Sequence, residues 1–250
     1  MWRNYLKVAV RAIRRRPLYA AINVFGLAVG MATCILIGLY VFGELSYDEF
    51  HTKADRIYQL GQDSQWGRMQ ATPYPLGTAL EAGLPEIEEV VRTWGGGGGN
   101  SVTPEGTQQA YSLGVMLADE GFFEVFSFDL VRGDRSALAD PSSAAITSET
   151  ARRLFGNDDP IGREIRFRVF DAEPTLTVRA VVETPPPNST VEFDVVGPTS
   201  LIPDQYTSEG GWGRFMYRTY VLTRELVEAS VLDERIAAVL TLHADPSRDS

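Results

Sequence analysis

The sequence predicts an α+β protein: one N-terminal transmembrane helix, then a mixed α/β extracytoplasmic domain made of two subdomains. Three observations carry that expectation. No Asp, Glu, Lys or Arg occurs from Pro17 to Gly43. Basic residues precede that run and acidic residues follow it. Beyond it, short alternating apolar runs and capped helical patterns succeed one another, punctuated by Gly and Pro.

The apolar run comes first. As a helix rising about 1.5 Å per residue, Leu18 to Phe42 exceeds a hydrocarbon core of about 30 Å. Arg14, Arg15 and Arg16 stand before it, and Glu44, Asp48 and Glu49 after it. Basic flanks stay on the cytoplasmic side, so residues 1–16 are expected inside, 17–43 across the membrane and 44–250 outside. A cleaved signal peptide would have a shorter apolar core of roughly 7–15 residues, ending in small side chains. This run ends Leu39-Tyr40-Val41-Phe42-Gly43-Glu44, which is bulky where a peptidase needs small residues.

Residues 2–13 read as a separate amphipathic helix on the cytoplasmic surface. At 100° per residue Trp2, Tyr5, Leu6, Ala9 and Ile13 share one face, and Arg3, Lys7, Arg11 and Arg14 the other. Within the span Gly26, Gly30, Cys34 and Gly38 recur every four residues. That spacing either makes a seam for a second helix or reflects the general abundance of Gly in membrane helices.

Charge and composition then remove several classes of function. Lys and Arg number 23 against 33 Asp and Glu, and six of the basic residues lie before Gly43. The remainder is strongly acidic, which excludes a phosphate-backbone binder and hence nucleic acid as a partner. The single Cys34 cannot form an internal disulfide, and His51 and His243 are the only histidines.

Past the membrane a short acidic helical start is expected over Ser46–Tyr58. Candidate strands follow at Arg56–Gln62, Glu88–Trp94 and Gln109–Leu117, then a Phe-rich helical turn at Glu120–Phe126. Ala144–Ile146 runs into Thr147 or Ser148 as an N-cap, with Glu149 in the first turn and Gly156 as the stop. Ile165, Phe167 and Val169 alternate with Glu164, Arg166 and Arg168. Leu176, Val178, Ala180 and Val182 alternate likewise, so the two runs form a hairpin across Asp171 and Pro174. Met216–Thr223 reads as a strand and Leu226–Leu242 as an amphipathic helix. The run Gly95–Gly99 lacks the Gly-Lys-Ser/Thr ending of a phosphate cradle and is expected to be a mobile loop. Pro185-Pro186-Pro187 is a stiff connector, and Asn188-Ser189-Thr190 matches a glycosylation sequon by pattern alone.

Little catalytic material is present. Asp48, His51 and Asp55 at i, i+3, i+7 would share a helix face and suit a divalent metal, but no fourth ligand accompanies them, and capping or solvated charge is the simpler reading. No Gly-x-Ser-x-Gly elbow and no Gly-x-x-x-x-Gly-Lys-Ser/Thr loop occurs, so any ATP chemistry belongs to another polypeptide. Asp158-Asp159 precedes a turn and reads as solvated. No catalytic, cofactor-binding or metal residue is therefore assigned, and the chain is not expected to be an enzyme.

Several stretches together resemble the MacB/FtsX-like ABC-transporter permeases. Near the N-terminus these are Asn4–Lys7, Asn23–Ala32, Glu44-Leu45-Ser46-Tyr47-Asp48-Glu49-Phe50-His51 and Ala54-Asp55-Arg56-Ile57-Tyr58. Beyond the membrane they are Phe122–Phe126, Leu130–Asp134, Thr147–Gly156, Asp159–Gly162 and Pro185–Ser189. The resemblance implies that residues 44–250 form a MacB-type periplasmic core domain on a bacterial inner-membrane permease. It further implies a cytoplasmic ATPase in trans, and a second permease copy or a periplasmic adaptor as additional partners. Such permeases continue into three further membrane helices, so the chain is expected to be a fragment or a truncated product. The alternative is a single-pass anchored periplasmic binding or sensing module, with an anchored periplasmic enzyme behind it.

Overall fold

A computed structural model describes residues 2, 5, 11, 14–64, 67–207 and 209–243. The amphipathic helix expected over 2–13 lies largely outside the described residues. The chain divides into two units, Met1–Tyr47 and Asp48–Ser250.

The first unit is built on helix α1, Pro17–Leu45. Proline opens it because the first-turn N–H groups have no intrahelical partner to lose. Ser46 closes it, donating its N–H to the carbonyls of Phe42 and Gly43 and its hydroxyl to Gly43 O at 2.8 Å. None of its side chains is buried, and mean hydropathy over its most apolar window is 2.3. By length and composition α1 can cross a membrane. A Cβ added at Gly26, Gly30 or Gly38 would meet no atom within 4 Å, so that face stays open.

The second unit runs β1 (Ile57–Gln59), β2 (Gln62–Ser64), β3 (Gly67–Met69), β4 (Thr72–Pro73), α2 (Pro75–Gly83), β5 (Ile87–Gly95), β6 (Asn100–Pro104), β7 (Tyr111–Leu113) and β8 (Val115–Ala118). It continues with α3 (Phe122–Val125), β9 (Leu130–Gly133), β10 (Ser143–Thr147), α4 (Ser148–Phe155), β11 (Glu164–Phe167) and β12 (Thr175–Val182). Last come β13 (Val195–Pro198), α5 (Asp204–Thr207), β14 (Phe215–Thr223) and α6 (Ala229–His243). Strands β1-β14-β5-β8-β13-β10-β12-β11-β6-β7 hydrogen-bond in that order; β4 joins β14 and β9 joins β12. The pairs β8–β13 and β10–β12 are parallel, and the others in this sheet are antiparallel.

Burial follows position in the sheet. Every residue of central strands β8, β10 and β13 is buried, as expected where both faces are covered. Towards the edge β11 alternates, with Ile165 and Phe167 buried and Arg166 exposed. Three apolar clusters fill the unit. One gathers Phe122, Phe123, Phe126, Phe128 and Phe193; a second is centred on Ile146, Ile165, Phe167 and Leu176. In the third, Leu76 and Leu80 of α2 and Leu232, Ile236 and Val239 of α6 pack beside Val90 and Val221.

Elements that depend only on neighbouring residues form where the pattern places them. The Thr147 hydroxyl accepts from Thr150 N at 3.2 Å, and Gly156 at φ +64° ends α4. The β11–β12 hairpin pairs Ile165 with Leu176. Three expectations are corrected. Residues 46–56 form turns and one 3-10 turn at Ala54–Arg56, and Ile57 and Tyr58 already belong to β1, with no α-helix between α1 and β1. The run 109–117 is two strands broken at Gly114, whose N–H and O bond Asp194 while a Cβ there would lie 2.8 Å from Gly96 O. The two expected subdomains share one continuous sheet and form a single compact unit, because β5, β8, β13, β10 and β12 are hydrogen-bonded without interruption.

Candidate functional site

The first nine residues of the second unit, 48–56, have no long regular structure, so their backbone polar groups must find partners elsewhere. They do so on distant parts of the chain. Asp48 sits in the left-handed region at φ +57°, a conformation Asp tolerates better than most residues. Its N–H donates to Asn188 O at 3.0 Å. Its carboxylate accepts from Thr190 N at 2.9 Å and, by a shorter bond, from the Thr190 hydroxyl. Ser189 N–H donates to Pro186 O, and its hydroxyl bonds Val191. The Pro-Pro-Pro-Asn-Ser-Thr stretch is therefore a turn built to receive Asp48. Its Ser189 is 2% exposed, and Thr190 is spent on Asp48.

His51 comes next, 4% exposed among Phe50, Phe126 and Phe128. Its Nδ1 accepts from Ser127 N at 3.1 Å, so the neutral ring carries its proton on Nε2, which has no hydrogen-bond partner. Burial among the phenyl rings pushes its pKa down, and the nearby Asp48 carboxylate opposes that in part. Thr52 bonds Ser127 through both its N–H and its hydroxyl. Lys53 Nζ donates to Glu124 O at 2.9 Å. Arg56 reaches Glu88, Thr223 O and Arg224 O. A cleft of about 610 Å³ opens beside this segment, lined by Phe50, Lys53, Phe123, Phe128, Arg135 and Glu183 among others. Its cations hold backbone: Arg135 donates to Phe123 O at 2.7 Å and Phe128 O at 2.9 Å.

The helix that would bring Asp48, His51 and Asp55 onto one face is absent. Without a helix the three do not share a face, Asp48 and His51 are committed to Thr190 and Ser127, and Asp55 is exposed. Among the described residues no group of three or more His, Cys, Asp or Glu is arranged to hold a metal. Asp158 and Asp159 diverge into surface ion pairs with Arg163 and Arg132. In the glycine run, Gly95 and Gly96 have positive φ, and a Cβ on either would lie within 2.8 Å of a backbone carbonyl. Only Gly97, Gly98 and Gly99 have open surroundings, so the expected loop is in part a close backbone crossing.

A second polar centre carries no signal in the sequence. Asp119 accepts from Arg92 N at 2.9 Å, Arg92 Nε at 2.6 Å and the Thr199 hydroxyl at 2.6 Å. The Arg92 guanidinium lies 3.9 Å from the centroid of the Tyr74 ring. Both charged side chains are only 12% exposed, so the pair is desolvated and depends on this full set of partners. Glu81 and Glu89 line the same cleft of about 440 Å³, and burial raises both pKa values, aided at Glu89 by neighbouring carboxylates. Tyr217 is buried in contact with Tyr74, and its hydroxyl pKa is pushed up to about 12, chiefly by burial. No local pattern signals this centre, because its residues come from five separated stretches.

Comparison with known proteins adds to the geometry. A family model described as the MacB-like periplasmic core domain matches residues 20–239. No curated protein matches the sequence. A solved domain of a protein assigned as a permease, from Porphyromonas gingivalis, superposes with a TM-score of 0.65 at 25% identity, covering 78% of this chain and 84% of that one. The periplasmic region of MacB from Actinobacillus actinomycetemcomitans gives 0.54 at 16% identity, covering 75% and 82%; at that identity it is a likeness of fold.

Proposed function

The chain belongs to the MacB-like periplasmic core domain family of ABC-transporter permeases, and from that premise we propose that it is the N-terminal part of an exporter permease. An apolar helix joined to a domain of this family fits a membrane-anchored protein with an extracytoplasmic domain. In the proposed reading the membrane is the bacterial inner membrane, residues 1–16 are cytoplasmic and residues 44–250 periplasmic. A separate cytoplasmic ATPase acts in trans, and its cycle moves α1 together with partner helices, including those of a second permease copy. The domain passes that movement to substrate or to a periplasmic adaptor. The chain itself performs no catalysis and binds no nucleic acid.

The observation that carries this reading is the extent of the family match. It begins at residue 20, inside α1, and ends at residue 239, inside α6, so one family model spans most of the apolar helix and the sheet domain. The charge asymmetry across α1 supports the orientation. Reporter fusions test it. A phosphatase that works only outside the cytoplasm, fused after Ser250, is expected to be active, and a cytoplasm-dependent reporter there silent. In the same cells, cross-linking is expected to capture an ATP-binding subunit on the membrane-embedded chain. The reverse reporter pattern, or a chain that captures no ATP-binding subunit, refutes the reading.

A further inference from the structure

Strands β1 and β14 are the first and last of the sheet in sequence, yet they pair side by side and antiparallel, with Ile57 opposite Leu222. The segment arriving from α1 and the segment departing toward α6 therefore diverge from the same end of one ladder, like the arms of a fork. This is the mechanically weak arrangement. Pulling the arms apart loads the rungs singly, beginning at Ile57–Leu222, whereas sliding the strands would load every rung at once.

Arg56 sits at the mouth of that fork. Its NH1 is shared by Thr223 O at 2.8 Å, Arg224 O at 2.8 Å and Glu88 Oε2 of β5 at 3.1 Å. The Thr223 hydroxyl donates to Glu225 O at 2.7 Å and lies 3.3 Å from Arg56 O. Two residues on, the Tyr58 hydroxyl donates to Val227 O. The outgoing arm is also fixed to the α2–β5 connection: Arg224 N–H donates to Glu86 O at 2.9 Å, and Arg235 of α6 pairs with the Glu86 carboxylate at 2.6 Å. Among the described residues Arg56 is thus a side chain that bonds the incoming arm to both the outgoing arm and β5. A lysine ammonium has donors enough for these three acceptors but ends one atom nearer the backbone, short of the point that NH1 occupies among them.

We propose that Arg56 is a positioning residue that closes this fork, so that displacement of α1 moves both arms and the sheet as one body without prising β1 from β14. The proposal rests on the permease reading above, in which the domain is loaded through its membrane helix. Its test uses no ATPase, so its failure is distinguishable from failure of that reading.

The full chain, carrying Cys34→Ser and thiols at the exposed positions Tyr47 and Glu228, is placed in phosphatidylethanolamine–phosphatidylglycerol nanodiscs and pulled between those thiols. Once the Asp48–Thr190 joint and the Thr52 and Lys53 bonds have given way, the next event expected is release of β1, and its rate is the readout. Arg56→Ala is expected to open about tenfold or more faster at a given force, the scale of losing charge-assisted bonds. Arg56→Lys is expected to behave much like it. A cross-strand disulfide from Ile57→Cys and Leu222→Cys, added to Arg56→Ala, is expected to restore resistance under oxidising conditions and lose it with reductant. Without force, amide exchange at 57–60 and 222–224 should quicken by a similar factor in Arg56→Ala, with the amides of β10 unchanged. Unaltered opening and exchange in Arg56→Ala overturns the proposal. So does a uniform rise that includes β10, since Arg56 would then serve only the stability of the whole domain.

Discussion

Replacing Asp48 separates two contributions that the native residue combines. Its carboxylate accepts two bonds from Thr190, and its backbone holds φ +57°. Bonds to a charged acceptor contribute about 1.5–3 kcal/mol each, and a half-buried site calls for the lower end, so the pair is worth roughly 3 kcal/mol. The left-handed backbone costs a residue with a Cβ about 1 kcal/mol, which glycine does not incur. Asp48→Ala should therefore lose about 3 kcal/mol, and Asp48→Gly about 2 kcal/mol because the strain is relieved. Asp48→Asn keeps an acceptor for Thr190 N and tolerates the backbone, so it should lose about 1 kcal/mol. For a unit of this size each kcal/mol moves Tm by roughly 2–4 °C, so the roughly 2 kcal/mol between the mildest and most severe variant spreads the three over about 4–8 °C. Thermal unfolding in nanodiscs, followed by tryptophan fluorescence, reads this directly. The order Asn, Gly, Ala, from mildest to most severe, is the signature. If alanine is as mild as asparagine, or glycine falls below alanine, the carboxylate–Thr190 joint is not what holds this segment.

Three further outcomes follow from the same structure. Because burial lowers the pKa of His51, the unfolded chain takes up its proton first as pH falls. Stability is thus expected to drop once pH passes below the ordinary histidine value near 6.5, with the loss complete below the folded value. In His51→Asn, which keeps an acceptor for Ser127 N, that part of the pH slope should vanish in unfolding measured from pH 8 to 5; an unchanged slope assigns it to other groups. Gly133→Ala should destabilise far more than Gly156→Ala. Both have positive φ, but a Cβ at Gly133 would lie 2.0 Å from Arg179 O while Gly156 faces open space; equal shifts in Tm would contradict this. Finally, Asp119→Asn should cost more stability than Asp158→Asn, since the former leaves Arg92 desolvated and the latter breaks an exposed pair. Denaturant midpoints that coincide would show the Arg92 cluster to be as solvated as the surface.

Features settled within a few residues were legible in the sequence. The Thr147 cap, the Gly156 stop and the β11–β12 hairpin each need only neighbours, and each formed where the pattern placed it. The 46–58 stretch misled because Asp48, His51 and Asp55 have helical spacing, while their actual partners lie far along the chain at Thr190 and Ser127. The sequon-like Asn188-Ser189-Thr190 is the other half of that joint, and no periodicity connects the two halves. Their shared appearance among the family-like stretches was the one available hint. The Arg92–Asp119–Thr199 centre gave none at all, because a desolvated ion pair looks in sequence like any two surface charges. The single sheet was hidden for a related reason: parallel pairs such as β8–β13 join strands some 80 residues apart, which no local pattern reports.

The pairing of β1 with β14 also fixes an order of events during biosynthesis. Ile57 leaves the ribosome about 165 residues before its partner Leu222. At roughly 5–20 residues per second that is a wait of about 10–30 s. Throughout it, the stretch next to the membrane anchor has no neighbour for its backbone, and β5 lacks the strand that later separates it from β1. Exposed strand edges of this kind recruit other chains. The nascent domain therefore passes through a half-built stage with an open seam, and only the arrival of the final strand seals it.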